Sequence, residues 1–441
     1  MIATGNTATT GARISLPAGR AAAQPRVAII GAGLSGLACA RRLTEADLPF
    51  TLIEADDAVG GRVRTDSVSG FTLDRGFQVF LESYPEARRV LDYRRLRLRR
   101  FFPGAIVRTN GRFHLCPDPW RSPQHLLSGI LSPIGSLRDK LRVLSLRREV
   151  LKRSLESLYD EPEVTTLTYL RNRGFSERMI HRFFVPFYGG VFLDRSLQTS
   201  AKMFLFLFRM FATGYTSVPA SGMAAIPAQL ADSLPPGSLH TATAAQKITD
   251  GRIRLSTGEE VRADQVIVAT ERTESNWLTG EKNDAGSREV ACLYFAARRL
   301  PFRQGAVILN GEDEGVIHNL AFMSQIAPEY GNGEEQLLSV TVLAPIPKLD
   351  HLLIQSVRNN LRQWFGDDTL RWRHLKTYRI HQAQPILPSG TLNQVHRTRV
   401  SGNGTIVCGD HCDTVSINGA LTSGRHAAEL AIKRIQKGQI R

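Results

Sequence analysis

The chain has 441 residues and a net charge of +15, from 56 Lys+Arg against 41 Asp+Glu, and 42% of it is hydrophobic. This fits a globular protein of about three domains with a substantial core, and it excludes an ordinary transmembrane helix, because no apolar run reaches about 18 residues. The five scattered cysteines offer neither a metal spacing nor a disulfide framework and point to a reducing cytosol, while the lack of a recognised module or aromatic-interleaved basic patch argues against nucleic acid.

Residues 1–25 contain no acid and no apolar signal core, and the first acidic residue is Glu45. A disordered extension is expected there, with an organelle transit peptide as the alternative. Val27-Ala28-Ile29-Ile30 then reads as a buried parallel strand. The turn Gly31-Ala32-Gly33-Leu34-Ser35-Gly36 follows, and Leu37 to Leu43 continues as a helix. Phe50-Thr51-Leu52-Ile53 is a second strand, ending in Glu54. Strand, glycine turn, helix, strand and acid make a dinucleotide-binding βαβ unit. Gly31 permits the tight turn, Gly33 admits a pyrophosphate close to the backbone, and Gly36 lets the helix approach the strand. Leu34 and Ser35 open the helix, whose N-terminus offers N–H groups and partial positive charge. Glu54 suits the ribose hydroxyls of an adenosine and repels a 2′-phosphate, which disfavours NADP.

The next segment runs Ala55-Asp56-Asp57-Ala58-Val59-Gly60-Gly61-Arg62. Following the glycine turn and Glu54, it resembles the GGR motif of the flavin amine oxidase, protoporphyrinogen oxidase and phytoene desaturase superfamily. The resemblance implies FAD rather than NAD. It places Glu54 and Ala55 at the adenosine, Gly60 and Gly61 against the cofactor, and Arg62 beside the pyrophosphate and flavin. Phe71 to Asp74 is an expected strand, and the loop after it carries Gly76, Phe77 and Gln78, which the resemblance makes cofactor contacts.

Seven arginines crowd residues 86–101, where Leu96 and Leu98 alternate with three of them as in part of a strand. A helix is expected from about Leu137 to Leu158, with Leu137, Leu141, Leu144, Leu151, Leu155 and Leu158 at three- and four-residue steps among many Arg and Lys. Its leucines are expected to pack on the domain beneath a solvated basic face; the alternative is peripheral docking on an anionic membrane. The segments 168–192 and 203–211 are rich in Phe and form an apolar wall. Most of these rings are expected to be core, and some to line a tunnel as in the carotenoid-acting relatives.

Pro219 to Leu230 resembles the family's glycine-methionine segment that opens a helix, and the strands between Lys247 and Val261 are separated by glycine turns. Asp264 to Thr270 reads as a buried strand that includes Ala269. The resemblance implies backbone contact with the adenine near Ala245. Residues 276–395 are expected to alternate short strands with at least one helix, around Leu352 to Trp364. Ala383-Gln384-Pro385 matches the family's Ala-x-Pro turn; no cysteine lies near it, which argues against the covalent flavin of monoamine oxidases. Thr405 to Gly409 is a strand ending at Asp410, which the resemblance assigns to the ribityl chain. A helix opens near Ile417, Asn418 and Ala420, where it would stabilise negative charge on the flavin. His411, Cys408 and Cys412 lie close by and are expected to be packed or solvated rather than catalytic.

The expected fold is α/β: a Rossmann-like FAD-binding domain from 26–80, 220–275 and 396–435, with an α+β substrate domain from 81–219 and 276–395. The expected activity is hydride transfer from a hydrophobic, isoprenoid-like or tetrapyrrole-like substrate to non-covalent FAD. A flavin amine oxidase acting on a small amine is one alternative. A non-enzymatic escort protein on the same fold is the other, opposed by the intact glycine turn, Glu54 and Asp410. The expected location is cytoplasmic, with peripheral contact of the basic stretches with an anionic membrane as the alternative.

Overall fold

Residues 26–438 are described by a computed structural model, apart from 283–284, 313, 388–389 and 394–397. The expected N-terminal extension, residues 1–25, lies outside the described residues. Two large sheets draw on strands β1 (Val27–Ile30), β2 (Phe50–Ile53), β3 (Gly104–Thr109), β4 (Arg112–Pro117), β5 (Gln265–Val268), β6 (Ser287–Ala297), β7 (Val307–Asn310), β8 (Asn319–Phe322), β9 (Gln336–Leu343), β10 (Arg373–Pro385) and β11 (Ile406–Val407). The helices packed on them include α1 (Leu34–Thr44), α2 (Leu137–Lys152), α3 (Val185–Phe192), α4 (Ala201–Thr213), α5 (Asp350–Phe365) and α6 (Ile417–Gln436).

The first sheet runs Leu239–His240, β2, β1, β5, β11, Arg399–Val400, and its strands are parallel except for the last. Strands β1, β2 and β5 are buried along their whole length, as a parallel sheet covered on both faces requires. Helices α1 and α6 pack against each other through backbone. A Cβ on Gly36 would lie 1.8 Å from the Gly31 carbonyl oxygen, and one on Gly424 would lie 2.0 Å from that of Ser35.

The second sheet runs β10, β6, β9, β8, β7, β3, β4 and is antiparallel except at β7–β3. Its strands are longer than the short ones expected, reaching 11 residues in β6 and 13 in β10. Side chains alternate between its faces. Leu338, Val340 and Val342 pack under α5 with Leu353, Val357 and Leu361. Ser339 and Thr341, on the alternate positions of β9, face the other way.

Asp74 ties the second sheet to the hairpin Thr65–Val68/Phe71–Asp74 and to the segment at Met223. Its buried carboxylate accepts from Thr65 Oγ1 at 2.6 Å, from the Met223 amide at 2.8 Å and from Tyr330 Oη at 2.7 Å. Its carbonyl accepts from Tyr294 Oη at 2.8 Å. Burial pushes the carboxyl up to about 6, against the pull of those donors.

One expectation is met in part and another is corrected. The arginine-rich stretch 86–101 is mostly short helix, Pro85–Val90 and Tyr93–Leu96, and only Leu98–Arg100 is strand. Helix α2 starts at Leu137 as its periodicity placed it but ends at Lys152, with Leu158 in a separate turn, Glu156–Asp160, and its leucines do not all face the domain. Leu146 and Val150 are buried, whereas Leu137 is 65% and Leu141 56% exposed. The apolar period is broad enough to cover two faces, and the face that packs is the one carrying Asp139. That carboxylate closes a capping box with Ser136 and also accepts from Ser176. Among the described residues no helix is long and apolar enough to cross a membrane.

Candidate functional site

The βαβ turn builds one end of a cavity of about 790 Å3. Gly31 has φ +99 and lies so close to β5 that a Cβ would sit 3.0 Å from the Ala269 carbonyl oxygen. Gly33, the residue capping α1, has nothing within 4 Å of its absent Cβ, so its face is open to the cavity. No side chain caps α1, and the N–H groups of its first turn are therefore available to an anion. Glu54 is buried and holds the turn in shape: Oε2 accepts from the Ala32 amide at 2.6 Å and Oε1 from the Asp56 amide at 2.9 Å. Each oxygen keeps a lone pair for a further donor.

The Gly60-Gly61 pair docks on this turn. The Gly60 amide donates to the Ala32 carbonyl at 2.9 Å, and a Cβ on Gly61 would lie 3.6 Å from Gly33 Cα. Arg62 then reaches across to the C-terminal segment, donating from Nη2 to Asp410 Oδ1 at 2.7 Å and from Nη1 to the Ala383 carbonyl at 3.1 Å. Burial disfavours charge on both partners, but the Arg62 guanidinium holds Asp410 below the usual carboxylate range. Gln78 Nε2 donates to the Arg62 carbonyl at 2.8 Å and steadies the same loop.

Of the residues singled out from sequence, Gly31, Gly33, Leu34, Ser35, Glu54, Gly60, Gly61, Arg62, Gly76, Phe77, Gln78, Ala269, Gly409, Asp410, Ile417 and Ala420 line the cavity. Four do not. Gly36 lies beneath the turn, where it sets the helix-to-strand approach. Ala55 points to solvent beyond Glu54. Ala245 begins a strand, Ala245–Thr249, of a small antiparallel sheet. Asn418 is spent inside the fold, with Oδ1 accepting from the Glu86 amide at 2.9 Å. The start of α6 is partly satisfied as well, since Ser416 Oγ accepts from the Gly419 amide at 3.0 Å. Cys408, His411 and Cys412 are buried outside the lining, and burial pushes His411 down to about 4.

The cavity continues into an apolar chamber. From the Phe-rich segments Phe183, Phe187, Leu207, Phe208 and Phe211 reach its wall, whereas Phe204 and Phe206 are core, packed on Tyr188 and Tyr84. Val307, Leu309, Asn319 and Thr341 of the second sheet line it as well, and Asp118 to Arg121, Val143 and Arg147 close the far end. Sequence reasoning missed these last groups and also Glu271 and Glu274. The far end lacks any motif. Asn319 did leave a signal, the one polar residue of its strand, whereas Thr341 shares its strand with Gln336 and Ser339.

The two kinds of glycine separate experimentally. Gly33→Ala should fold with a melting midpoint near that of the parent and lose flavin, because the new methyl enters the cavity. Gly424→Ala should lose about 3 kcal/mol of stability, because its methyl meets backbone. Thermal melts alongside flavin absorbance check both; a Gly33→Ala protein that keeps its flavin would contradict the cradle.

A profile of flavin containing amine oxidoreductases matches residues 34–432. Protoporphyrinogen oxidase 2 of Arabidopsis thaliana is 31% identical over 170 residues, which are 37% of this chain and 32% of that protein, so the chain spans about a third of this relative. A putative protoporphyrinogen oxidase from Exiguobacterium sp. 255-15 superposes with a TM-score of 0.69 at 20% identity, covering 92% of this chain and 99% of the other. Cyclohexylamine oxidase from Brevibacterium oxydans IH-35A gives 0.70 at 15% identity, covering 94% and 100%. These two structures share the two-domain α/β fold. With the family profile matching nearly the whole length, the chain belongs to the flavin-containing amine oxidoreductases and is a flavin-dependent oxidoreductase.

Proposed function

We propose that the protein is an FAD-dependent oxidase or desaturase that takes a hydride from a hydrophobic, isoprenoid-like or tetrapyrrole-like molecule. The observation that carries this reading is the continuity of the cavity, from the open glycine turn to a chamber walled by phenylalanine. Bound FAD supplies the hydride acceptor, and the chain supplies position and surroundings. The first turn of α1 would hold the pyrophosphate, Glu54 the adenosine ribose, and Arg62 with Asp410 the flavin end. Phe183, Phe187, Phe208 and Phe211 exclude water and orient an apolar body. That wall carries no carboxylate, so a buried cationic amine would lack a counter-charge there. Of the carboxylates elsewhere in the lining, Asp410 is paired with Arg62, Asp118 with Arg121, and Glu54 accepts from the Ala32 and Asp56 amides; Glu271 accepts from the Glu274 amide at 2.7 Å, and burial raises the Glu274 carboxyl.

The FAD is proposed to be non-covalent. Cys116 is the cysteine in the lining among the described residues, and burial pushes its thiol up to about 11. It stays protonated at neutral pH and is a poor nucleophile.

The proposal extends to a lipid surface. Trp120, in the cavity lining, is 46% exposed and lies under Arg147, 4.1 Å from the ring centroid to Cζ. Leu127, Leu131, Leu137 and Leu141 are exposed along the following segment. Arg138, Arg148 and Lys152 are exposed on α2 as well. Apolar side chains set among cations suit the interface of an anionic membrane, where each cation adds about 1 kcal/mol.

Anaerobic mixing of the FAD-loaded protein with porphyrinogens, polyprenoids and amines tests the activity. Bleaching of the flavin by a hydrophobic molecule is expected. Bleaching by amines alone would replace the reading with that of an amine oxidase. Sedimentation with phosphatidylcholine vesicles containing phosphatidylglycerol tests the surface. Binding should fall at high salt and at least tenfold in Leu137→Glu/Leu141→Glu; a protein that stays in the supernatant overturns the membrane proposal.

A further inference from the structure

The wall of the second sheet holds polar atoms that the fold does not use. Asn319 and Thr341 are neighbours across β8 and β9 and are 5% and 4% exposed. Both line the cavity. Asn319 Oδ1 and Thr341 Oγ1 have no hydrogen-bond partner among the described residues, and neither has Nε2 of the adjacent His318. Helix α3 comes down on this spot through a glycine: a Cβ on Gly190 would lie 3.2 Å from His318 Nε2 and 3.7 Å from Asn319 Oδ1. Burial, with the charge of Arg195 adding to it, pushes His318 down to about 3, so its ring is neutral. Among the other lining residues Val290, Val307, Leu309 and Val191 are apolar, and Gln384 is already engaged, donating from Nε2 to the Val191 carbonyl at 3.2 Å.

A buried acceptor without a donor costs a fold free energy, and a ligand that brings the donor recovers it. We infer that Asn319 and Thr341 form a neutral polar subsite that takes an O–H or N–H group of a substrate whose remaining body is apolar. The inference deepens the hydrophobic-substrate reading and rests on it. An isoprenoid alcohol and a tetrapyrrole both carry such a donor. A carboxylate would meet the Asn319 carbonyl oxygen without a cation, and a protonated amine would lack a counter-charge.

The test uses two probe pairs with the FAD-loaded protein, read by quenching of tryptophan fluorescence. One pair is geranylgeraniol and the hydrocarbon lacking its hydroxyl; the other is octaethylporphyrin and its zinc complex, which has no N–H. In one pair the donor-bearing member should bind about tenfold or more tighter, and the pair in which it does so names the source of the donor. Asn319→Leu and Thr341→Val should each narrow that preference, and the double variant should abolish it, with affinity for the donor-free member unchanged within about twofold. Thr341→Ser should keep it. Because valine is isosteric with threonine, Thr341→Val carries the test even where Asn319→Leu fails to fold. Its melting midpoint should be no lower than that of the parent. Equal binding within both pairs, a preference that survives the double variant, or a clear fall in the Thr341→Val midpoint would each overturn the inference. Hydride transfer is not read, so failure of the oxidoreductase reading leaves this preference measurable by itself.

Discussion

Backbone touching backbone at Gly36 and Gly424 is the constraint on which the rest of the structure depends. Helix α1 sits so close to the turn at Gly31, and α6 so close to α1, that a single methyl at either glycine would overlap a carbonyl oxygen. That closeness aims the uncapped N-terminus of α1 into the cavity and brings Asp410, at the start of the segment leading to α6, within 2.7 Å of Arg62. Glu54 locks the same turn from the other side through the Ala32 amide and its own following segment through the Asp56 amide. The cradle is thus a property of main chain held by three segments far apart in sequence, and few side chains are needed to shape it.

A second constraint joins this cradle to the apolar chamber. Asp74 is hydrogen-bonded to the hairpin beside it, to the segment at Met223 and, through Tyr330 and Tyr294, to the second sheet. A buried carboxyl with this many fixed donors specifies one arrangement of its neighbours. The loop Arg75 to Gln78 leaves directly from it and enters the cavity between the two sheets, where Gly76 leaves no room for a Cβ beside Ile380. Cofactor end and chamber are therefore held in register by the residue next to the loop that borders both.

The cradle was legible in the sequence because its chemistry is local: glycines at fixed offsets, an acid at a strand end, and a second glycine pair just beyond. Asp410, more than 300 residues away, was legible only through resemblance, since nothing in Gly409-Asp410 by itself points to Arg62. Leucine periodicity placed α2 but not its buried face, because α2 is chosen by what packs on it and the Asp139 capping box turns it. Ala245 and Asn418 fall outside the cavity lining for the same reason: a motif fixes which residues are near, while the partners of a side chain are set by elements that arrive from elsewhere. The chamber was legible as composition alone. Which phenylalanines face inward is set by what packs on their helical segments, and that Asn319 and Thr341 lie side by side follows from sheet register, which the sequence does not state.

The account stands on the glycine cradle holding FAD without a covalent bond. The most direct measurement is the visible absorption spectrum of the purified protein, before and after denaturation and removal of the precipitate. The account predicts flavin bands that pass into the supernatant, with the mass of FAD. A colourless protein that also fails to take up added FAD, or a flavin that stays with the precipitate, would contradict it.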